Sequence, residues 1–196
     1  MSVDLGVIVL AAGAAKRYGA PKLALPVNGV PLVRRAALAS LAVSRHVVVV
    51  VGAHRQIIEP LLAGLDVTVA FNDAWSLGMG NSLSFGVTRL REVAPQCHCI
   101  LIVLADQVLI DEGDLKELVS AHRAAPDRIV AASYAGVLGV PCVFPNNYFD
   151  EIERLQGDVG ARGILNRHPD AVVEVPMSQA RIDIDTPEDY ARILQK

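Results

Sequence analysis

Gly6-Val7-Ile8-Val9 runs directly into Leu10-Ala11-Ala12-Gly13-Ala14-Ala15-Lys16-Arg17-Tyr18-Gly19-Ala20-Pro21-Lys22. A short apolar run rich in β-branched residues reads as a buried strand. The small residues after it read as a loop at the strand's carboxyl end, carrying Arg17 and Lys22. Small side chains let backbone N–H groups approach an anion closely, and two cations supply charge suited to a polyphosphate. The spacing is not that of the P-loop, whose second glycine is followed by Lys and then Ser or Thr, nor is it G-x-G-x-x-G. A strand, a glycine loop and then Arg17 and Lys22 together point to a nucleoside triphosphate laid along the loop. The competing reading is a plain strand-to-helix turn with two solvated cations.

Beyond this stretch, short apolar runs alternate with helical patterns. The strand-like runs are Gly6–Ala11, Val47–Val51, Val67–Phe71, Cys99–Ala105, Ile129–Ser133, Val140–Phe144 and Val172–Val175. The helix-like runs are Pro31–Val43, Gln56–Ala63, Asn81–Val93, Glu112–Ala124, Tyr148–Leu155, Gly160–Arg167 and Pro187–Leu194. Alternation of this kind predicts an α/β fold, a mostly parallel sheet with helices on both faces in three layers. The second half is less regular, which predicts an antiparallel addition to the sheet there. Ligands of such folds bind beyond the carboxyl ends of the strands. Gly13, Asp106 and the loop after Phe71 all fall at such ends.

The 196 residues are expected to form a single domain with ample length for a core. Apolar residues make up 52%, yet no run reaches the 18 or so that a membrane span needs, so no membrane partner is expected. A net charge of −3 argues against a general nucleic-acid surface. No secretory pattern is visible, and three cysteines fit a reducing compartment better than a disulfide framework, which predicts a cytoplasmic protein. Cys97-His98-Cys99 invites a metal reading, but there is no second ligand pair. Two thiols at the entry of a strand are the better account.

The acidic residues carry the next signal. Asp106 follows the apolar run Ile100-Leu101-Ile102-Val103-Leu104, where an unpaired carboxylate would cost several kcal/mol in order of magnitude. A divalent cation would offset that cost; the alternatives are a helix cap near Asp111 or a solvent-facing strand end. Asp183 and Asp185 are two apart, and on a strand that spacing sets both carboxylates on one face, with Ile182 and Ile184 on the other. With Asp106 they would make an oxygen-rich magnesium site, completed by phosphates and water. One of the two is expected as a direct ligand alongside Asp106, with Asp185 slightly favoured over Asp183, and the other is expected to orient a bound water. The alternative has Asp185 help to start the last helix, where Thr186 caps, Pro187 takes the first position, and Glu188 and Asp189 suit the positive end.

Two further glycine loops open helices. Gly78-Met79-Gly80-Asn81-Ser82 presents free N–H groups suited to an anion or a base edge. Gly157-Asp158-Val159-Gly160-Ala161-Arg162 adds a cation to a similar loop and reads either as a seat for an acceptor's phosphate or as an ordinary turn. No nucleophile–base–orienter triad is evident among Ser82 and the histidines.

Five segments in chain order carry a resemblance: Leu10 to Lys22, Asn72 to Leu83, Leu104-Ala105-Asp106-Gln107, Leu155 to Arg162, and Asp183 to Tyr190. Over nearly the whole chain they resemble the MobA-like nucleotidyltransferases that mature the molybdenum cofactor, and most of all the cytidylyltransferase (MocA-like) branch. The resemblance implies a Rossmann-like nucleotidyltransferase fold that transfers a nucleoside monophosphate to a phosphorylated acceptor and releases pyrophosphate. It also implies an NTP-binding part to about residue 107 and an acceptor-binding part after it. The catalytic residues it implies are Arg17, Lys22 and Asp106. NTP contacts would come from Leu10, Ala11, Ala12, Gly13, Arg17, Lys22, Gly78, Asn81 and Ser82, with Gly78 to Ser82 beside the base. Acceptor contacts would come from Gly157, Asp158, Gly160 and Arg162, and the magnesium (Mg) ligands would be Asp106, Asp185 and Asp183.

Pyrimidine-using members of that family carry Ala-Ala after the leading leucine, where guanine-using members carry Ala-Gly or Gly-Gly. Ala11-Ala12 therefore implies CTP, with GTP the alternative and ATP left open. Molybdopterin is the implied acceptor, with a molybdoenzyme or its chaperone as a further partner. Val108, where members commonly have proline, and Val140, where they tend to be polar, depart from the pattern on the acceptor side. Some relatives are NADPH-dependent pigment reductases, and a non-catalytic cofactor-delivery protein is the remaining alternative.

Overall fold

The computed structural model describes residues 4–194. In chain order the strands are β1 (Leu5–Ala11), β2 (Pro26–Val27), β3 (Val30–Pro31), β4 (His46–Val51), β5 (Thr68–Phe71), β6 (Cys99–Leu104), β7 (Ile129–Tyr134), β8 (Val137–Pro145) and β9 (Val172–Pro176). The helices are α1 (Leu32–Leu41), α2 (Arg55–Ile58), α3 (Met79–Val93), α4 (Glu112–Ala124), α5 (Phe149–Glu153), α6 (Ala161–Arg167) and α7 (Pro187–Leu194). Seven strands form one sheet in the order β5-β4-β1-β6-β8-β7-β9. Of these, β8 alone runs antiparallel to its neighbours, so the antiparallel addition lies in the second half as expected. The fold is α/β with a mostly parallel sheet and helices on both sides.

Strands β1, β4 and β6 lie at the centre and are covered on both faces, which is why they read as continuous apolar runs. Val48, Val49, Val50 and Val51 are wholly buried, as are Ile100, Leu101 and Ile102. On one face Val7, Val9, Val49 and Leu101 pack with Leu32 and Val33 of α1 and Leu115 and Leu118 of α4. On the other, Ile8, Val50 and Ile102 pack with Leu83 and Val87 of α3 and with Ile152 and Ile164 of α5 and α6. Cys97, Cys99 and Cys142 are free and buried; burial pushes the Cys97 thiol up to about 11 and the Cys99 thiol up to about 12.

The chain passes from β1 outward to β4 and β5, then returns to the far side of β1 as β6. The order therefore reverses between β1 and β6, and a crevice opens beyond their carboxyl ends. Register pairs Leu10 with Leu104, and the Ala105 N–H donates to the Leu10 carbonyl at 3.2 Å. The glycine loop and Asp106 thus leave the sheet side by side.

Two local expectations are corrected, and one hairpin carried no sequence expectation. The helix expected over Gln56–Ala63 is α2 followed by a 3-10 turn, Glu59–Leu62, because Pro60 offers no N–H to continue the α ladder. The β2–β3 hairpin turns at Asn28 and Gly29, with φ of 52° and 77°, a conformation that Asn-Gly favours; two-residue strands leave no periodic pattern to read. Asp183 and Asp185 do not lie on a strand of the sheet. They belong to an extended segment anchored by one bond, from the Ile184 N–H to the Asp106 carbonyl at 3.3 Å. Ile184 is nonetheless fully buried while Asp183 is exposed, so alternation survives without a ladder.

Candidate active site

A cavity of about 400 Å³ occupies the crevice between β1 and β6. One wall is the loop after β1, from Leu10 through Arg17 to Lys22. Asp106, Asp185 and Asp158 stand across from it, and Trp75, Gly78, Met79 and Ser82 close the far end. Among the described residues, the backbone N–H groups of Gly13, Ala14, Ala15, Lys16 and Arg17 donate to no protein acceptor. A methyl built on Gly13 would meet no protein atom within 4 Å. Gly13 is exposed, so its smallness leaves open space on the cavity side rather than relieving a clash.

Charge is concentrated where the end of this loop meets the acids. The Lys22 ammonium lies between two carboxylates, 2.8 Å from Asp106 Oδ2 and 3.0 Å from Asp185 Oδ1. Arg17 reaches Asp185 Oδ2 at 2.7 Å. The Lys22 side chain is 11% exposed and that of Arg17 75%, so the first pair is shielded and the second is open to water. Burial alone would push the Lys22 ammonium below its ordinary value; Asp106 and then Asp185 outweigh it and hold it above. Burial pushes the Asp183 carboxyl up, and the neighbouring Asp106 and Asp185 charges add to the effect. Three carboxylates therefore share one electrostatic neighbourhood that two cations only partly neutralise.

Hard carboxylate oxygens in a cleft suit a hard divalent cation such as magnesium or manganese. The donor set fits: Asp106 and Asp185 would hold the ion, with Asp183 close enough to bias it. Among the described residues no three acidic, histidine or cysteine side chains stand already converged on a common point. Lys22 occupies the space between the two aspartates. Metal binding and Lys22's position are thus linked.

Local structure sets each acid. Asp106 is not the cap of the next helix; Asp111 is, accepting from the Gly113 and Asp114 N–H groups at 2.7 and 3.2 Å. Gln107 is buried and donates from Nε2 to the Val140 and Ala180 carbonyls, both at 2.7 Å, which ties the Asp106 turn to β8 and to the segment leading to Asp183. Asp185 sits just before a reciprocal cap. The Thr186 hydroxyl accepts from the Asp189 N–H at 3.2 Å, and the Asp189 carboxylate accepts from the Asp185 and Thr186 N–H groups at 3.2 and 2.9 Å.

The two later glycine loops meet each other. The Gly80 N–H donates to the Gly157 carbonyl at 2.8 Å, and the Asn81 side chain accepts from the Gly157 N–H at 3.1 Å. Gly78 has φ of 113°, and a methyl there would run into the Gly157 carbonyl. Asn81 therefore braces the second loop and does not line the cavity. Ser82 does line it, while accepting from Asn72 Nδ2 at 3.2 Å. Asp158 lines it too; Gly157, Gly160 and Arg162 do not. Arg162 is exposed, 3.4 Å from the Tyr134 hydroxyl. Sequence reasoning passed over Trp75 and Met79 as lining residues. The visible signal was a lone tryptophan set just before a glycine loop.

Residues 7–172 match the model of the MobA-like NTP transferase domain family. The chain is 33% identical to the purine catabolism protein PucB of Bacillus subtilis, over 93% of this chain and 92% of that protein. It is also 33% identical to the nicotine blue oxidoreductase of Paenarthrobacter nicotinovorans, over 95% of each. Among solved structures it superposes on Rv0371c of Mycobacterium tuberculosis with a TM-score of 0.83 and 26% identity, covering all of both chains. The same protein has been solved as a complex with manganese, and that structure matches at 25% identity and a TM-score of 0.79, covering 98% of this chain and 99% of that one. The chain belongs to the MobA-like NTP transferase domain family.

Proposed function

We propose that the protein is a magnesium-dependent nucleotidyltransferase that moves CMP from CTP to a phosphorylated acceptor of the molybdopterin type and releases pyrophosphate. The observation that carries the reading is the loop from Gly13 to Arg17. Its N–H groups lack protein acceptors, it bears Arg17, and it lines one cleft with Lys22 and two aspartates. A triphosphate lying along that loop would satisfy those N–H groups and draw on both cations.

In the reaction a terminal phosphate oxygen of the acceptor attacks the α-phosphorus. A new P–O bond forms, the bond to the β-phosphate oxygen breaks, and pyrophosphate carries the negative charge away. Arg17 and Lys22 stabilise that charge as it develops. Positioning and electrostatics suffice, with no covalent enzyme intermediate. A bound magnesium ion, held by Asp106 and Asp185, supplies Lewis-acid stabilisation of the phosphate oxygens. With Lys22 drawn toward phosphate, Asp106 and Asp185 would be left to hold the metal. The NTP side comprises the loops up to about residue 107; Asp158 and its loop face the acceptor. The methyl of Ala12 narrows the space beside the base, which supports CTP over GTP.

A second reading is favoured by one observation, the full-length 33% identity to nicotine blue oxidoreductase. It makes the cleft the seat of a reduced nicotinamide dinucleotide, which gives up hydride, and a pigment that accepts it. Thermal protection separates the two. The transferase reading expects CTP with magnesium to raise the melting temperature and NADPH to have little effect. Consumption of NADPH without magnesium or NTP would support the reductase instead.

A further inference from the structure

Trp75 is the only tryptophan in the chain. Among the described residues it is also the only aromatic side chain lining the nucleotide cleft. It sits in a short 3-10 turn, Trp75–Leu77, just before α3, and packs against the sheet face that includes Ala12, Val50 and Ala70. Its position is set across the sheet by Gly52. A methyl built on Gly52 would lie 2.7 Å from Trp75 Cβ and 2.9 Å from Ala12 Cβ. Trp75 and Ala12 are therefore neighbours over a bare glycine, and Ala12 is the residue whose methyl narrows the base side of the cleft.

Trp75 has a second face. Beyond it lies another cavity, of about 720 Å³, lined by Gly52, His54, Arg55, Ile57 and Phe71 among others. The Arg55 guanidinium lies 4.8 Å over the Phe71 ring there. Trp75 is common to the linings of the two cavities. We infer that Trp75 is the platform on which the nucleobase stacks, and that by closing the cleft off from this second cavity it limits the size of base accepted. Stacking on an aromatic ring tolerates any base, because every base has a π face; size selection comes from the wall.

The inference rests on the nucleotide-binding reading, and its test separates the two. Titrating CTP without magnesium should quench or shift the emission of the single tryptophan saturably. Trp75→Ala should weaken CTP binding, measured by calorimetry, by on the order of tenfold to hundredfold, the range seen when a base-stacking aromatic is cut to alanine. Trp75→Phe should restore most of it. Inorganic tripolyphosphate, which has no base, should bind wild type and Trp75→Ala alike. The preference for CTP over GTP should shrink in Trp75→Ala, since the cleft then opens into the larger space. Equal CTP affinity in wild type and Trp75→Ala overturns the assignment while leaving the transferase reading intact. Equal weakening of CTP and tripolyphosphate overturns it as well, because the residue would then act through the fold. If wild type binds no NTP by either method, the nucleotide-binding reading fails and takes this inference with it.

Discussion

Lys22 bridges Asp106 and Asp185 at 2.8 and 3.0 Å in the cleft where the phosphates of a nucleotide would also draw on it. An ammonium so shielded is tolerable only while paired. Lys22→Ala should lower nucleotidyl transfer by about 10²-fold or more, the scale on which one preorganised electrostatic donor acts. Arg17 is open to water, so Arg17→Ala should chiefly raise the KM for NTP. Steady-state kinetics with pyrophosphate release as the readout checks both; unchanged rates would remove the two cations from the mechanism. Asp106→Asn keeps the shape and leaves Lys22 its second partner, Asp185. It should abolish metal-dependent turnover while the circular dichroism spectrum stays as in wild type. An active Asp106→Asn enzyme with the same magnesium requirement would contradict the assignment of Asp106 to the metal.

Among the elements, the start of α7 positions an acid and the last turn of α4 carries a group that responds to pH. The reciprocal cap of Thr186 and Asp189 holds the backbone N–H of Asp185. Thr186→Ala should cost about 0.5–2 kcal/mol of stability, typical of a lost N-cap. It should also raise the magnesium concentration needed for half-maximal activity, since the Asp189 carboxylate that accepts from the Asp185 N–H loses its Thr186 hydroxyl partner. A stability loss without any change in the magnesium titration would make the cap purely structural. His122 on α4 is 3% exposed, and its Nδ1 has no partner. Burial pushes the imidazole below its ordinary value of 6.5, against a backbone hydrogen bond at Arg128 and the charge of Asp127. As pH falls through 6.5 the unfolded chain takes up a proton here before the folded protein does, so stability falls. The melting temperature lost between pH 7 and pH 5 should be smaller in His122→Gln than in wild type; equal losses would mean that His122 does not contribute.

Across the whole molecule, legibility followed burial. Every strand of the seven-stranded sheet was readable, because runs such as Val47 to Val51 are buried on both faces and leave an unbroken apolar signal. The cleft's cations and Asp106 were readable for a related reason: charges set just beyond such strands have few bland explanations. What sequence could not carry was contact across the fold. Trp75 owes its place to Gly52 and Ala12, far off in the chain. Asn81 points to Gly157 rather than into the cleft because two glycine loops meet, which neither loop announces. The Asp183–Asp185 segment alternates as a strand would, yet one backbone bond to Asp106 is all that ties it to the sheet's end.

Transfer of a nucleoside monophosphate is the defining activity of a nucleotidyltransferase. The direct measurement is mass spectrometry of the products after incubation with magnesium, a molybdopterin source and each NTP in turn. CTP should give a product heavier than the acceptor by one cytidylyl group, with an equal amount of pyrophosphate, and GTP much less. Absence of any nucleotidylated product with all four nucleotides would contradict the account.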